Sequence, residues 1–567
     1  MDNSAAALFA NGVLVAAVEE ERLSRIKNDG AFPYLAIEEV LSVAGIKFSD
    51  IDQIGVYWKP WKFNSRAFFS LYKMLRSPKT SYSLIGRALE VFGNSKKEDN
   101  ATSSWRDLFR IKNVLKSRYG NFEAEIKYVD HHITHQLYAE YMREWDQYIS
   151  LSYDGGGEID STQLVAKFDG ERKLLTSHKW PNSLGHFYST FTGFMGFKML
   201  EGEYKMMGLA PYGKPTQKEL LLNEILHLKP NGRYKLNTKL CDYHLALKGG
   251  FKKKLIDLFG PARINDSEPT QSQIDLATSV QVVFEEVQQH ILQLAKNIYP
   301  SINKLVVSGG CALNVTANGK LLQSGMFDEV IIPPAPHDAG CAIGSAVAII
   351  NEDIDKKSIR SPYLGRNYDN KEIAFIISKY CQKIPNCLDD SELVKRTAQL
   401  LAEGNLIAWF QGKSEFGPRA LGARSFLADP RRDEIREEMN EKIKKRELFR
   451  PFAPSTLESS CSDFFDLEQT SPYMNIVATV KDDRIPAITH VDKTARVHTV
   501  CSTENPRYYD LIDAFGKLTG IPVLLNTSFN IQEPIVYSPE DALKTFSISG
   551  VDALVIGNYV VTREDLN

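Results

Sequence analysis

The chain has 567 residues, 43% of them hydrophobic, and a formal net charge of −3. That length exceeds what one compact core accommodates and predicts two or more domains, while the near-neutral balance argues against a protein whose main partner is nucleic acid. Seven cysteines without a CxxC pair, Cys241, Cys311, Cys341, Cys381, Cys387, Cys461 and Cys501, read as reduced thiols in a cytoplasmic protein. No signal peptide opens the chain and no apolar run approaches the roughly 18 residues that span a bilayer, so a soluble protein without a membrane partner is expected.

The chain opens with the apolar run Ala5–Phe9, the pair Asn11-Gly12 and the run Val13–Glu21, which predicts a β-hairpin. A helix is expected at about Tyr34–Ala44. The apolar and basic segment between Phe68 and Asp99 predicts inserted helices, with Pro78 and the serines arguing against a membrane-surface helix. A second hairpin pattern, Thr162–Phe168 and Arg172–Trp180 around Asp169-Gly170, follows the strand pattern Tyr148–Tyr153. Each hairpin follows an Asp and a Ser, Asp2/Ser4 and Asp160/Ser161. The repeat reads either as chance or as an internal duplication similar to the ribonuclease-H-like lobes of the actin, sugar-kinase and Hsp70 superfamily.

From Gln273 to Ile350 a long helix (about Ile274–Ile298) precedes the strand LVVSGG, a helix from Leu313, the strand EVIIPP and a final helix. This is the alternating α/β order of a parallel sheet, whose ligands sit in loops at strand ends. The turn Gly309–Asn314 is therefore a nucleotide-site candidate, and a new unit is expected from about Ser361.

In VDHHITHQ, His131 and His135 stand four residues apart, so on a helix both imidazoles leave one face and can share an ion. The motif is not HExxH, which excludes that class of zinc peptidase; structural histidines capping a helix are the plainer alternative. Asp154, at the end of YISLSYD, and Asp338, at a strand-to-helix junction in PPAPHDAGCAIGSA, complete a set of imidazoles and carboxylates that suits iron, manganese or zinc. His132 and His337 are adjacent and are expected to hydrogen-bond behind the ligands.

The C-terminal third has a different character. Phe410–Arg431 packs three glycines and three arginines into 22 residues. Guanidinium groups match phosphate and carboxylate oxygens, and glycines let backbone N–H groups approach them. KKRELFRPFAP (Lys444–Pro454) and LLNTSFNIQEPIV (Leu524–Val536) continue the theme, each being a solvated surface turn if it is not an anion loop.

Taken in order, DNSAAAL with EEERLSR, DHHITH, SYDGGGE, EGEYKMMGLAPYG, SGGCALN, APHDAGCAIGSA, EFGPRALGARS, FRPFAP and NTSFN span nearly the whole chain. The pattern resembles the O-carbamoyltransferases that include the nodulation, cephamycin and tobramycin enzymes. The resemblance implies an α/β protein: residues 1–355 as a duplicated ribonuclease-H-like domain similar to the universal threonylcarbamoyl-adenosine transferase, and residues 361–567 as a YrdC-like domain. It implies that carbamoyl phosphate and ATP, with magnesium, yield carbamoyl-adenylate in the second domain. The carbamoyl group then passes, with a divalent metal (iron foremost, manganese or zinc allowed), to a hydroxyl of a small molecule or glycan.

The same match assigns Arg419, Lys444, Arg450 and Arg496 to the converging anions, and Asn526, Ser528 and Asn530 to orienting phosphate or the carbamoyl group. Arg424, Lys445 and Arg446 are secondary candidates, or else an exposed basic helix. His131, His135, Asp154 and Asp338 would hold the metal; Gly156, Gly310 and Asn314 would cradle the nucleotide or form tight turns. The segment Glu201–Tyr212 reads as a loop near the acceptor or as a buried connector. Because the anion loops lie beyond Ser361, activation is expected of the second domain alone.

Two departures from the pattern stand out. Relatives place a strand and a histidine ahead of Asp2, where this chain has Met1, so either the start is late or an acceptor-site base is missing; NTSFNIQEPIV is one residue short. A sugar kinase, a tRNA-modifying threonylcarbamoyl-type transferase and an inactive nucleotide-binding sensor are the competing readings. No nucleic-acid partner is expected, and a homodimer is compatible with the sequence.

Overall fold

A computed structural model describes residues 3–63, 105–241, 251–264, 267–350 and 353–566. The segment Phe68–Asp99, where inserted helices are expected, and Asp2 lie outside these residues. The protein is mixed α/β. It divides into two compact units: Met1–Leu14, Asn28–Ile37 and Ala44–Arg360 form the first, and Val15–Lys27, Glu38–Val43 and Ser361–Asn567 the second. Two N-terminal stretches thus pack with the C-terminal unit, where contiguous halves were expected.

The first hairpin joins β1 (Ala5–Ala10) to β2 (Val13–Glu19) through Asn11 and Gly12 at φ 51° and 75°. Both turn residues take the left-handed conformation that a two-residue hairpin requires. Further on, β3 (Gln53–Val56) pairs in parallel with β4 (Glu125–Tyr128), and α1 follows at His131–Glu140. The main sheet of the first unit begins with β5 (Tyr148–Tyr153), β6 (Asp160–Phe168) and β7 (Glu171–Lys179), an antiparallel meander whose second turn sits at Asp169-Gly170.

After α2 (Leu184–Phe194) comes the long helix α3, Gln271–Ile298. It starts three residues before the expected Ile274 because Thr270 and Gln273 close a capping box: the Thr270 hydroxyl accepts the Gln273 N–H, and the Gln273 amide oxygen accepts the Thr270 N–H at 3.0 Å. Val280, Val283, Phe284, Val287 and Ile291 line its buried face, each worth about 1.5–3 kcal/mol on burial. Then β8 (Lys304–Ser308) joins β5 in parallel, α4 spans Val315–Gln323, β9 (Glu329–Ile331) joins β8 in parallel, and α5 spans Cys341–Ile349. The strand order is β9-β8-β5-β6-β7.

In the second unit α6 (Asn370–Tyr380) and α7 (Asp390–Ala402) precede β10 (Ile407–Phe410), β11 (Arg424–Ala428), β12 (Ala453–Leu457), β13 (Phe465–Asp466), β14 (Ile476–Val480) and β15 (Thr494–Val500). Helix α8 (Pro506–Thr519), β16 (Val523–Ser528), α9 (Pro539–Ile548), β17 (Ala553–Ile556) and β18 (Tyr559–Thr562) complete it. The nine strands form one sheet in the order β13-β14-β15-β12-β16-β11-β10-β17-β18. Helices α7 and α8 cover one face through Leu393, Leu401, Leu511 and Phe515 against Trp409, Leu427 and Leu524. Among the described residues no helix is long and apolar enough to cross a membrane.

Candidate functional site

Helix α1 directs His131 and His135 from one face, as their spacing predicts, and both side chains are buried. Their Nε2 atoms lie 3.1 Å apart. The Asp154 carboxylate, just beyond β5, is 3.4 Å from His131 Nε2, and the Asp338 carboxylate is 3.5 Å from His131 Nε2 and 3.7 Å from His135 Nε2. One ligand atom from each of the four residues lies within 4.8 Å of the others.

Two close approaches assemble this set. A side chain at Gly344 would put its Cβ 1.9 Å from the Thr134 carbonyl oxygen, so only glycine lets α5 press against α1 and carry Asp338 to the histidines. Gly310, after β8, donates its N–H to Asp154 Oδ1 at 2.8 Å, and a Cβ there would meet that same oxygen at 2.7 Å. The Gly156 N–H lies 3.4 Å from the other Asp154 oxygen. The two glycines expected at the nucleotide therefore aim the Asp154 carboxylate. Asn314 caps α4 by accepting the Ala317 N–H at 3.0 Å and exchanges hydrogen bonds with Gln281.

Residues that the spacing arguments passed over complete the surroundings. Cys341 Sγ lies 3.4 Å from His135 Nδ1 and 4.0 Å from His131 Nδ1, behind the rings. Its signal was its place three residues after Asp338, one helical turn on. With the two Nδ1 atoms it forms a second compact donor group, but that side is wholly buried, whereas Asp154 and Asp338 are 14% and 19% exposed and leave the Nε2 side open to a ligand. The Trp58 ring stacks on His131 at 4.1 Å, and buried Glu158 accepts the His131 and Lys59 N–H groups. His132 points away: its Nε2–H donates to the Asp160 carbonyl at 3.0 Å and its Nδ1 accepts the Ser152 hydroxyl at 2.8 Å.

The electrostatics follow from these contacts. Burial pushes the His131 and His135 pKa values down, but the Cys341 thiolate and the carboxylates outweigh it, holding His131 well above its ordinary value and His135 at about 9. Burial alone would raise Asp154; the His131 hydrogen bond and the neighbouring imidazoles pull it well below the usual range. Burial, with His131 and His135 beside it, lowers His132 to about 3. A donor set that draws positive charge this strongly, with two nitrogens 3.1 Å apart facing two carboxylates, fits a divalent cation. His337 precedes the turn Asp338–Gly340, its carbonyl accepting the Gly340 N–H at 3.0 Å. The segment Glu201–Tyr212 holds a short helix, Glu203–Leu209, seated on α3 through the Thr278 hydroxyl, which donates to the Ala210 carbonyl.

The second unit gathers several cations, with the Glu447 carboxylate 3.6 Å from Arg450. Arg419 lies between β10 and β11, Lys444, Arg446 and Arg450 between β11 and β12, and Arg496 on β15. Burial and the charges of Arg419, Arg446 and Arg450 hold the Arg496 pKa well below its ordinary value. Its buried Nε has no hydrogen-bond acceptor among the described residues. Burial beside Arg446 and Arg450 likewise lowers Lys444. Yet Lys444 Nζ meets the carbonyls of Ser528 at 2.8 Å and Asn530 at 2.7 Å, the Asn530 amide oxygen at 2.7 Å and the Ser528 hydroxyl at 3.3 Å. Lys444, Ser528 and Asn530 thus form one clamp on the NTSFN loop.

Asn526 is buried on β16 and donates to the Ala420 carbonyl at 3.1 Å and the Ser455 hydroxyl at 3.0 Å, holding the residue after Arg419. Glu415, also passed over by the motif reading, accepts the N–H groups of Leu421, Ala423 and Arg424 on one oxygen at 2.7, 2.8 and 3.1 Å. The alternative of an exposed basic helix fails for Arg424, which is buried at the start of β11, stacks 3.6 Å over Phe410 and donates to the Gln411, Gly412 and Ala423 carbonyls. Arg446 is tied to Asn440 at 2.7 Å, and Lys445 is exposed in a left-handed turn.

The family described as Carbamoyltransferase N-terminus matches residues 1–347, and Carbamoyltransferase C-terminus matches residues 398–563. Nodulation protein NolNO of Sinorhizobium fredii is 36% identical over 585 residues, covering 99% of this chain and 79% of that protein. An uncharacterized protein of Synechocystis sp. is 39% identical over 607 residues, covering 99% of this chain and 95% of its own. Among solved structures, full-length HypF in the phosphate- and nucleotide-bound form has 20% identity and a TM-score of 0.22 over 32% of this chain and 22% of that one, a likeness too slight to carry an argument. The chain belongs to the carbamoyltransferase family and is a carbamoyltransferase of the O-carbamoyltransferase group.

Proposed function

We propose that this carbamoyltransferase activates carbamoyl phosphate with ATP in its second unit and transfers the carbamoyl group to an acceptor hydroxyl in its first. The observation that carries this reading is the gathering of Arg419, Arg446 and Arg450 around Arg496, whose buried Nε has no acceptor among the described residues. Half-buried cations gathered in this way repel one another unless an anion joins them. Carbamoyl phosphate and the ATP phosphates bring such charge: water hydrolyses the P–O bond of carbamoyl phosphate, releasing inorganic phosphate and carbamate, the carbamate oxygen attacks the α-phosphorus of ATP, and the bond to the β-phosphate breaks to release pyrophosphate. Fixed guanidinium groups stabilise the charge that accumulates on the way.

In the first unit His131, His135, Asp154 and Asp338 would hold a divalent cation, with iron preferred by resemblance and manganese or zinc compatible with the donors. When bound, that ion supplies Lewis acidity toward a carbonyl or phosphate oxygen. Gly310 and Gly156 fix the Asp154 carboxylate, and Trp58 fixes the His131 ring, so the ligands stand ready without rearrangement. Gly156, Gly310 and Asn314 line the adjoining strand ends and suit the nucleotide part of carbamoyl-adenylate. The meander β5-β6-β7 followed by parallel β8 and β9 supports the reading of a ribonuclease-H-like lobe, with a YrdC-like second unit. Free cysteines throughout support a cytoplasmic setting. The acceptor class, a small molecule or glycan hydroxyl, follows the family.

Incubating the protein with ATP, magnesium and carbamoyl phosphate tests the activation step. Release of pyrophosphate that requires carbamoyl phosphate is the expected result; release that ignores it, or none at all, overturns the reading.

A further inference from the structure

The short helix Glu20–Ser24 and the residue after it belong to the second unit, although they reach loops 395 and 510 residues further along the chain. Arg22 is 2% exposed. Its Nε donates to Glu19 at 3.0 Å, and its Nη2 donates to the Gly417 carbonyl at 2.5 Å, two residues before Arg419. Burial works against its charge, but Glu19, Glu21 and Glu415 more than restore it. Glu415 is the carboxylate that gathers the N–H groups of Leu421, Ala423 and Arg424 on the far side of Arg419. Arg25 does the same for the other loop: its Nη2 and Nη1 donate to the Pro534 and Ile535 carbonyls at 2.7 and 2.8 Å, just beyond the Asn530 that grips Lys444.

A buried guanidinium is costly unless its neighbours are arranged for it. Here one helical turn supplies two forks, and each fork closes on the backbone of a different anion loop. A planar fork bonding a carbonyl and a carboxylate together fixes direction as well as charge, which an ammonium cannot do. We propose that Arg22 and Arg25 are positioning residues for the anion site, so that Glu19–Arg25 completes the site and a chain beginning at Ser361 lacks part of it. The inference rests on the anion reading of the second unit. Neither arginine touches the anion; each acts through a loop.

The test uses the full chain and pyrophosphate as the probe, with binding followed by calorimetry and carbamoyl-phosphate-dependent exchange followed alongside. Removing one charged hydrogen bond of this kind loosens binding by about tenfold or more, so Arg22→Ala is expected to weaken pyrophosphate by that factor, with recovery when methylguanidinium fills the vacated space. Should Arg22→Ala not fold, Arg22→Lys keeps the charge beside Glu19 and Glu415 but loses the fork. It is expected to remain folded with an unchanged metal content and still bind pyrophosphate several-fold more weakly, while KM for carbamoyl phosphate rises more than kcat falls. A folded Arg22→Lys variant with wild-type binding overturns the inference alone. A wild-type chain that binds no pyrophosphate overturns the anion reading and the inference with it.

Discussion

The histidine cluster of the first unit and the arginine cluster of the second solve opposite electrostatic problems. Around His131 and His135 opposite charges converge: Cys341 and the carboxylates raise the imidazoles against burial, and the imidazoles lower Asp154. Around Arg496 like charges converge, and with burial Arg419, Arg446 and Arg450 hold its pKa well below the ordinary value. The first cluster offers lone pairs to a cation in place of its protons; the second offers donors to an anion. On the proposed reading the two clusters take ligands of opposite sign, which suits a reaction with one step on phosphates and another at a carbonyl.

Removing the convergence in the first unit has the largest expected effect. His131→Ala combined with His135→Ala takes both nitrogens from the donor set, so bound metal, read by elemental analysis, and carbamoylated product should both fall to background. Stoichiometric metal in that variant would make the histidines structural. In the second unit Arg419→Ala should slow carbamoyl-phosphate-dependent pyrophosphate release by about 10²–10³, the usual loss for one donor to developing charge. Near-normal release would remove Arg419 from the site.

Smaller effects sharpen the comparison from the scaffold. Gly344→Ala forces a Cβ against the Thr134 carbonyl and should cost about 1–3 kcal/mol of stability, as overpacking does, while weakening metal and leaving pyrophosphate binding by the second unit intact. Denaturant titration with metal analysis checks both, and an unshifted midpoint would refute the close approach. In the second unit the His498 side chain, whose Nδ1 lies 2.8 Å from the Ser455 hydroxyl, is held by burial at a pKa of about 3 against 6.5 in the open chain. The unfolded chain takes up that proton first, so the stabilisation is full above the unfolded value and is lost as pH falls toward the folded one. Between pH 7 and pH 5 the wild type should lose about 2 kcal/mol through this group, a loss absent from His498→Gln. Equal slopes in the two proteins would sink the assignment.

Local pattern made much of this legible. The Asn11-Gly12 and Asp169-Gly170 pairs mark hairpins because such residues take the left-handed turn most readily, and the four-residue histidine spacing places both rings on one face of α1. Asp154 and Asp338 were readable because they follow strands. What escaped notice depends on contacts between distant parts of the chain. Cys341 carries no motif of its own and matters only because Gly344 brings α5 onto α1. Lys444 reads as a phosphate ligand, but the NTSFN loop surrounds its ammonium with oxygens. The packing of Val15–Lys27 with the second unit rests on Arg22 and Arg25 reaching carbonyls far along the chain, which no local period encodes.

The division of labour between the two clusters is tested most directly by exchange of labelled pyrophosphate into ATP in the chain carrying His131→Ala and His135→Ala, with carbamoyl phosphate present. Exchange close to the wild-type rate, in a protein that has lost its metal and forms no carbamoylated product, is the predicted result. Exchange that disappears together with the metal would contradict the account, because activation would then depend on the first unit's cluster as well.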